Sequence, residues 1–162
     1  MNTAPLLRPN VCILLYNAQK KLFLGERCDC PGEWQFPQGG VEGDCSLEEN
    51  VIREIEEEIG VSRDLIRVAR RLRATHEYEW KEPREYGDQT YRGQTQTFWL
   101  VEFLGNDSDI NLNTPHPEFM DWKWCASKEI PNIAHKQRLA GYILPLREFE
   151  DFLMLEDTGL LE

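Results

Sequence analysis

The segment that decides the fold runs from Gly39 to Val61 and reads GGVEGDCSLEENVIREIEEEIGV. In its second half, apolar residues recur at helical spacing, at Leu47, Val51, Ile55 and Ile59. This pattern predicts a helix with one buried stripe. Ser46 stands three residues before Glu49, which is a capping-box pattern, and Gly60 can adopt the left-handed conformation that ends a helix. We therefore predict a short helix from about Ser46 to Ile59.

Three glutamates of this helix, Glu54, Glu57 and Glu58, stand three and four residues apart or side by side. Residues at this spacing share a helix face, where their like charges repel one another. A divalent cation would relieve the repulsion, and hard carboxylate oxygens suit Mg²⁺, with Mn²⁺ as a second possibility. Because Mg²⁺ held by a few carboxylates usually accompanies a phosphate substrate, the pattern favours a site for phosphate chemistry.

The alternative interpretation of the same glutamates is a solvated acidic face. Two features favour the metal site. Glu54 and Glu58 fall along the border of the apolar stripe, where an unused charge is costly. Upstream, Gly39 and Gly40 allow the backbone to pass close to a ligand or to make a tight turn.

The segment from Gly39 to Val61 resembles the Nudix box, the signature of hydrolases that split nucleoside diphosphates linked to another moiety. The family pattern is Gly, five residues, Glu, seven residues, then Arg-Glu-apolar-any-Glu-Glu-any-Gly-apolar. Every fixed position matches except the first Glu, where this chain has Cys45. In the family, that Glu mostly supports the loop through the box arginine, here Arg53. The departure puts the rigidity of the loop in question, with Asp44 as a candidate substitute.

Segments outside the box are similar to one Nudix subfamily, which contains the asymmetrically cleaving diadenosine tetraphosphate hydrolases and the bacterial RNA 5′-pyrophosphohydrolases. The matching segments are Arg8–Val11, Trp34–Gly40, Gly93–Gln96 and Pro117–Trp122. The resemblance implies an α+β fold, a Nudix-type α/β/α sandwich with a mixed β-sheet. It also implies a single domain over residues 1–162, with its core at about 8–153.

The resemblance implies roles for individual residues. Arg53 would orient the carboxylates, and either Glu57 or Glu54 would take the proton from the attacking water. The implied metal ligands are Glu54, Glu57, Glu58 and Glu118. The implied substrate contacts outside the glycine pair Gly39 and Gly40 are Arg8, Arg27, Gln94 and Lys136.

The segment from His76 to Gly93 is long, polar and rich in Tyr and Trp. A connection of this length in a compact domain predicts a binding loop or lid. Its aromatic residues are candidates to stack on a nucleobase, with core or loop packing as the alternative. They are Tyr78, Trp80, Tyr86 and Tyr91.

Apolar runs separated by turn residues predict the other elements. The predicted strands are Val11–Tyr16 and its hairpin partner Leu22–Leu24, then Leu65–Thr75, Gln94–Leu104, Ile110–Leu112 and Trp122–Trp124. A second helix is predicted from Ala134 to Leu153, with a break or kink near Pro145.

Charge and composition narrow the classes of partner. A net charge of -11 over 162 residues argues against non-specific attraction to nucleic acid, so we expect no DNA partner. The N-terminal residues show no secretory signal or membrane segment, which predicts a cytoplasmic protein with no membrane partner. The five cysteines have no zinc-site spacing, and their odd number suits free thiols.

Three functions follow from these observations. The first is cleavage of a phosphoanhydride in a dinucleoside polyphosphate such as diadenosine tetraphosphate. It is favoured over the second, removal of pyrophosphate from an RNA 5′ end, by the acidic charge and by Thr95 and Thr97, which stand where the subfamily commonly has lysines. The third is a non-catalytic nucleotide-binding module, suggested by Cys45. The expected partner is a small nucleotide, with an RNA 5′ end as the alternative.

Overall fold

The computed structural model describes residues 6–159, which a mixed sheet of seven strands organises. The strands are β1 Leu6–Tyr16, β2 Leu22–Arg27, β3 Trp34–Gln35, β4 Gln38–Gly40, β5 Ile66–Tyr86, β6 Gln89–Phe103 and β7 Phe119–Cys125. Their order is β3-β2-β1-β6-β5, while β4 pairs with β1 and β7 pairs with β2. Strands β1 and β6 are parallel, and the other pairs are antiparallel.

Helices cover both faces of this sheet. They are α1 Leu47–Ile59, α2 Ile130–Ile133 and α3 Lys136–Asp157, with short 3-10 turns at Arg63–Leu65, Asp107–Asp109 and Ser127–Glu129. The Ser46 hydroxyl accepts a hydrogen bond of 3.1 Å from the Glu49 backbone N–H, and Gly60 has a φ of 68°. Both predicted ends of α1 are therefore confirmed.

Strand β1 divides the core into two layers because its alternate side chains face opposite helices. Val11, Ile13 and Leu15 pack in one cluster with the apolar stripe of α1. Cys12, Leu14 and Tyr16 pack in the other, which contains four buried residues of α3: Tyr142, Leu146, Phe149 and Phe152. The predicted α+β sandwich of α/β/α layers with a mixed sheet is confirmed.

The predicted loop or lid between His76 and Gly93 is wrong, since this segment is the outer part of a long β-hairpin. Strand β5 continues to Tyr86, β6 begins at Gln89, and Gly87-Asp88 forms the turn with Gly87 at a φ of 61°. From residue 72 to residue 81, more and less exposed positions alternate, which is the period of a strand with one sheltered face. The polar residues belong to its exposed face.

Two smaller predictions also differ from the structure. Residues 110–112 form no strand; instead the Asn111 backbone N–H donates to the Ile59 carbonyl at 2.8 Å, so this segment covers the end of α1. Helix α3 begins at Lys136 and continues unbroken past the buried Pro145. Packing of its apolar face against the sheet holds the helix together where proline removes one backbone hydrogen bond.

Two further observations concern the thiols and the possibility of a membrane-spanning helix. All five cysteines are free thiols, and Cys12 and Cys125 are buried. Within residues 6–159, no helix combines the length and the apolar character that crossing a membrane requires.

Candidate active site

An open cavity of about 630 Å³ lies where the box helix α1 meets strands β1 and β4. Its walls are polar and highly charged. The residues that line it include Arg8, Asn10, Arg27, Gln35, Gln38, Gly39, Gly40, Glu42, Glu54, Glu57, Glu58, Tyr86, Gln94, Glu118 and Arg138. The four glutamates predicted to hold a metal are therefore brought to one cavity.

Gly39 leaves the space on β4 that the Glu54 carboxylate occupies where it enters this cavity. A Cβ atom added to Gly39 would stand 1.9 Å from Cδ of Glu54. Any other residue would therefore displace the carboxylate. Since Glu54 is only 7% exposed, the close approach of β4 holds a buried charge in place.

Arg53 ties the carboxylates to the loop before the helix. Its Nη1 donates to Glu54 Oε1 and to Glu57 Oε2, both at 3.0 Å. Its Nη2 donates to the Gly40 carbonyl at 3.0 Å and to Asn50 Oδ1 at 2.8 Å. One guanidinium thus fixes two glutamates relative to Gly40 of β4.

Asn50 and Glu42 provide the loop support that Cys45 cannot. The Asn50 side chain is buried; its Oδ1 accepts from the Glu42 backbone N–H at 2.9 Å, and its Nδ2 donates to the Ser46 carbonyl at 2.8 Å. The Glu42 carboxylate stands 3.7 Å from Arg53 Nη1. Cys45 itself is exposed. The carboxylate nearest Arg53 in this loop thus comes from Glu42, whereas the sequence pointed to Asp44.

Glu58 is the most deeply placed carboxylate of the cavity. It is 5% exposed, and its Oε2 has no hydrogen-bond partner among the described residues. Burial, followed by the negative charges of Glu54 and Glu118, raises the pKa of Glu58 well above its usual range. Burial likewise raises the pKa of Glu54, against the opposing effect of Arg53.

These carboxylates fit a divalent cation. A buried unpartnered oxygen and raised pKa values show a shortage of positive charge that an ion would supply, and oxygen ligands suit Mg²⁺. Within residues 6–159, no three acidic, His or Cys side chains already converge at metal-binding distance. In this arrangement Glu54 and Glu57 both accept hydrogen bonds from the same nitrogen of Arg53.

The two arginines assigned to the polyphosphate are held differently. The Arg8 guanidinium lies 3.7 Å from the centre of the Tyr86 ring. The Arg27 guanidinium instead donates from Nε and Nη2 to the Asp29 carboxylate, at 2.8 and 2.6 Å. Both line the cavity, together with Gln94, whose Oε1 is buried and has no partner among the described residues.

A second open cavity of about 930 Å³ adjoins the first and shares Arg27, Gln38, Gln94 and Arg138 with it. The β5–β6 hairpin forms one of its walls. The hairpin residues that line it include His76, Tyr78, Trp80, Lys81 and Arg84. The Arg84 guanidinium stands 4.3 Å from the centre of the Trp80 ring. The wall therefore combines aromatic faces with charges of both signs, since Glu79 and Glu82 line it as well.

Two predicted substrate residues lie outside both cavities, and two residues that were not predicted, Gln38 and Arg138, line both. Lys136 is exposed, and neither Lys136 nor Tyr91 is among the lining residues. Arg138, in the first turn of α3, lines both cavities. Sequence reasoning missed it because the first turn carries two cationic residues, and their orientation depends on how α3 packs on the sheet. Tyr86, predicted as a residue of a binding loop or lid, is brought to the first cavity by the hairpin.

Comparisons with known proteins agree with this architecture. The NUDIX domain family model matches residues 6–145. An RNA pyrophosphohydrolase from Orientia tsutsugamushi is 34% identical over 91% of this chain and 92% of its own length. One from Zymomonas mobilis is 37% identical over 85% and 92%. An Ap4A hydrolase from C. elegans, solved as a binary complex, is similar in fold, with a TM-score of 0.68 and 23% identity over 91% of this chain and 98% of that one.

Proposed function

Because this chain belongs to the Nudix family, we propose that it is a magnesium-dependent pyrophosphohydrolase that releases pyrophosphate from the 5′ end of triphosphorylated RNA. The supporting observation is the set of four glutamates that line one cavity beside Gly39 and Gly40 of β4, with Arg53 hydrogen-bonded to two of them and to the Gly40 carbonyl. The name shared by the curated relatives at 34 and 37% identity supports the choice of substrate.

Glu54, Glu58 and Glu118 would hold the metal, with Glu57 beside them. When bound, Mg²⁺ supplies positive charge that polarises phosphoryl oxygens and offsets the charge on the departing phosphate. Arg53 keeps the Glu54 and Glu57 carboxylates in a fixed position beside β4, so that they need not be ordered at each catalytic cycle. Arg8 and Arg27 would bind the phosphate chain from the opposite wall.

Glu57 would accept the proton of the attacking water. Its side chain is 58% exposed, whereas that of Glu54 is 9% exposed. A carboxylate that faces both the cavity and solvent can take a proton and then return it to bulk water. The water oxygen would form a bond to phosphorus as the phosphoanhydride bond breaks, and the products would be pyrophosphate and a 5′-monophosphate RNA.

The second cavity gives the RNA a path away from the cleaved bond. Single-stranded nucleic acids bind to cationic grooves that also present aromatic faces. The hairpin wall offers Trp80 and Tyr78 next to Lys81 and Arg84. Lys81 and Arg84 offer the RNA local positive contacts, beside Glu79 and Glu82 on the same wall, in a chain whose net charge is -11.

A dinucleoside polyphosphate is the second candidate substrate. The same two cavities could each receive one nucleoside with the phosphate chain between them. The acidic overall charge favours this smaller ligand because it needs no extended basic surface.

A parallel assay tests the substrate. Pure protein with Mg²⁺ is incubated with a 5′-triphosphorylated oligonucleotide and, separately, with diadenosine tetraphosphate, and the released phosphates are quantified. Faster pyrophosphate release from the RNA supports the proposal, whereas faster release of AMP and ATP favours the second candidate. Binding of both ligands without any product would instead return the protein to the class of nucleotide-binding modules.

A further inference from the structure

The rim of the first cavity contains a contact that the proposed chemistry does not use. Arg8, on β1, reaches across Gly40, and a Cβ atom added to Gly40 would stand 2.1 Å from Cζ of Arg8. On its other side, the same guanidinium lies 3.7 Å from the centre of the Tyr86 ring. The guanidinium is therefore enclosed between Gly40 of β4 and an aromatic ring.

We propose that Tyr86 is a positioning residue, whose ring holds the Arg8 guanidinium over Gly40 so that its N–H donors can bind the phosphate chain. This inference rests on the proposed function, which places a phosphate chain in the first cavity. Both Arg8 and Tyr86 line that cavity.

The way in which Arg8 is held determines which of its donors can bind a ligand. A ring contacts a guanidinium through its flat face, whereas the five N–H donors point outward in the plane. Among residues 6–159, Arg8 makes no ion pair with a carboxylate. Its cation–ring contact thus fixes the position without using the donors that a phosphate needs.

Arg27 shows the contrasting arrangement within the same cavity. Its Nε and Nη2 both donate to Asp29, so a phosphate would compete with a carboxylate for them. Of the two arginines, Arg8 is the one whose planar edge is available.

The hairpin holds Tyr86 in place for this role. Tyr86 pairs with Gln89 across the Gly87-Asp88 turn. Its ring is 6.1 Å from that of Trp80 and 6.2 Å from that of Tyr91, measured between centroids. Ring contacts on both sides restrict its side chain, so that the position of Arg8 depends on a folded hairpin tip.

Binding of inorganic tripolyphosphate, measured by calorimetry in a fixed excess of Mg²⁺, tests this role without a nucleobase. All variants carry Glu57→Gln to prevent turnover. Tyr86→Leu is expected to weaken binding about 3- to 10-fold, the loss of one cation–ring contact. Tyr86→Phe, which keeps the ring, is expected to stay within about two-fold of the parent.

Two further variants complete the design. Thr90→Leu places a leucine on an exposed position of the same hairpin, away from both cavities, and is expected to leave binding unchanged. In an Arg8→Ala background, Tyr86→Leu is expected to have no additional effect, because the ring then has no cation to hold. In turnover assays of proteins with Glu57 intact, Tyr86→Leu should raise KM and leave kcat unchanged.

Three results would overturn the role of Tyr86: normal binding by Tyr86→Leu, an equal loss in Tyr86→Phe, or an undiminished loss in the Arg8→Ala background. A loss seen with nucleotides but not with tripolyphosphate would also overturn it, since the ring would then stack on a base. If the wild-type protein hydrolyses neither the RNA nor the dinucleotide, the proposed function fails, but the binding ratios still decide whether Tyr86 positions Arg8.

Discussion

Helix α1 and the β5–β6 hairpin both contribute to the first cavity, but they build it by different means. Helix α1 contributes carboxylates that are mostly buried, two of which share one arginine. The hairpin contributes half-exposed aromatic rings paired with arginines. Buried charges need fixed partners, whereas stacked rings at the surface can adapt to a ligand. This difference underlies our proposal that the helix cleaves the bond and the hairpin binds the substrate.

The largest effect expected from this division is the loss of turnover in Glu57→Gln. Removing the group that accepts the proton should lower kcat by about 100-fold or more, while KM changes little. Glu56→Gln, one residue away and exposed on the same helix, is the matched control and should keep full activity. Near-normal kcat in Glu57→Gln would take proton transfer away from this residue.

Gly39→Ala should produce the next largest effect, since the new Cβ would stand 1.9 Å from Glu54 Cδ. A displacement of the carboxylate by about 1 Å can lower the rate by up to about 100-fold. Circular dichroism would verify that the fold is retained while kcat is measured. If kcat were unaffected, the close approach of β4 to Glu54 would have no part in catalysis.

Glu58→Gln should raise the stability of the metal-free protein and abolish the stabilisation by Mg²⁺. Without metal, the buried carboxylate lacks a partner for Oε2, and its neutral analogue should therefore unfold at a Tm about 2 to 4 °C higher. Mg²⁺ should raise the Tm of the wild-type protein by binding the folded state but leave that of the variant unchanged. An equal Mg²⁺-induced rise in both proteins would remove Glu58 from the metal site.

The smallest effect is expected in the hairpin. Trp80→Leu removes an aromatic face from the second cavity and should raise KM for the RNA about five-fold with no change in kcat. Glu77→Gln, exposed on the same strand, serves as the control. A fall in kcat in place of a rise in KM would contradict the division between the two regions.

The two regions also differ in how well the sequence predicted them. Helix α1 was predicted to within a residue because Ser46, Gly60 and the spacing of its apolar side chains each reflect local geometry. The burial of Glu54 and Glu58 followed from the same periodicity. Such features depend on residues a few positions apart, and a single sequence contains all of them.

The hairpin was missed although it left signals in the sequence. Tyr78 and Trp80 alternate with Glu77 and Glu79, which is the period of a strand, and Gly87-Asp88 is a pair that favours a two-residue hairpin turn. The length and polarity of the segment from His76 to Gly93 favoured a loop more strongly than these signals favoured strands. What no local pattern contains is the contact between Arg8 and Tyr86, because it depends on how β1 and the hairpin come together.

The position of β1 in the sheet has a consequence for how the protein is made. Its parallel partner β6 is synthesised much later than β1 itself; Asn10 and Gln96, which join the two strands, are 86 residues apart. Until then β2 and β4 can pair with one edge of β1, but its other edge is exposed, and unpaired edges of this kind associate with other chains. The edge of β1 that faces β6 therefore stays open to such association until β6 has been made.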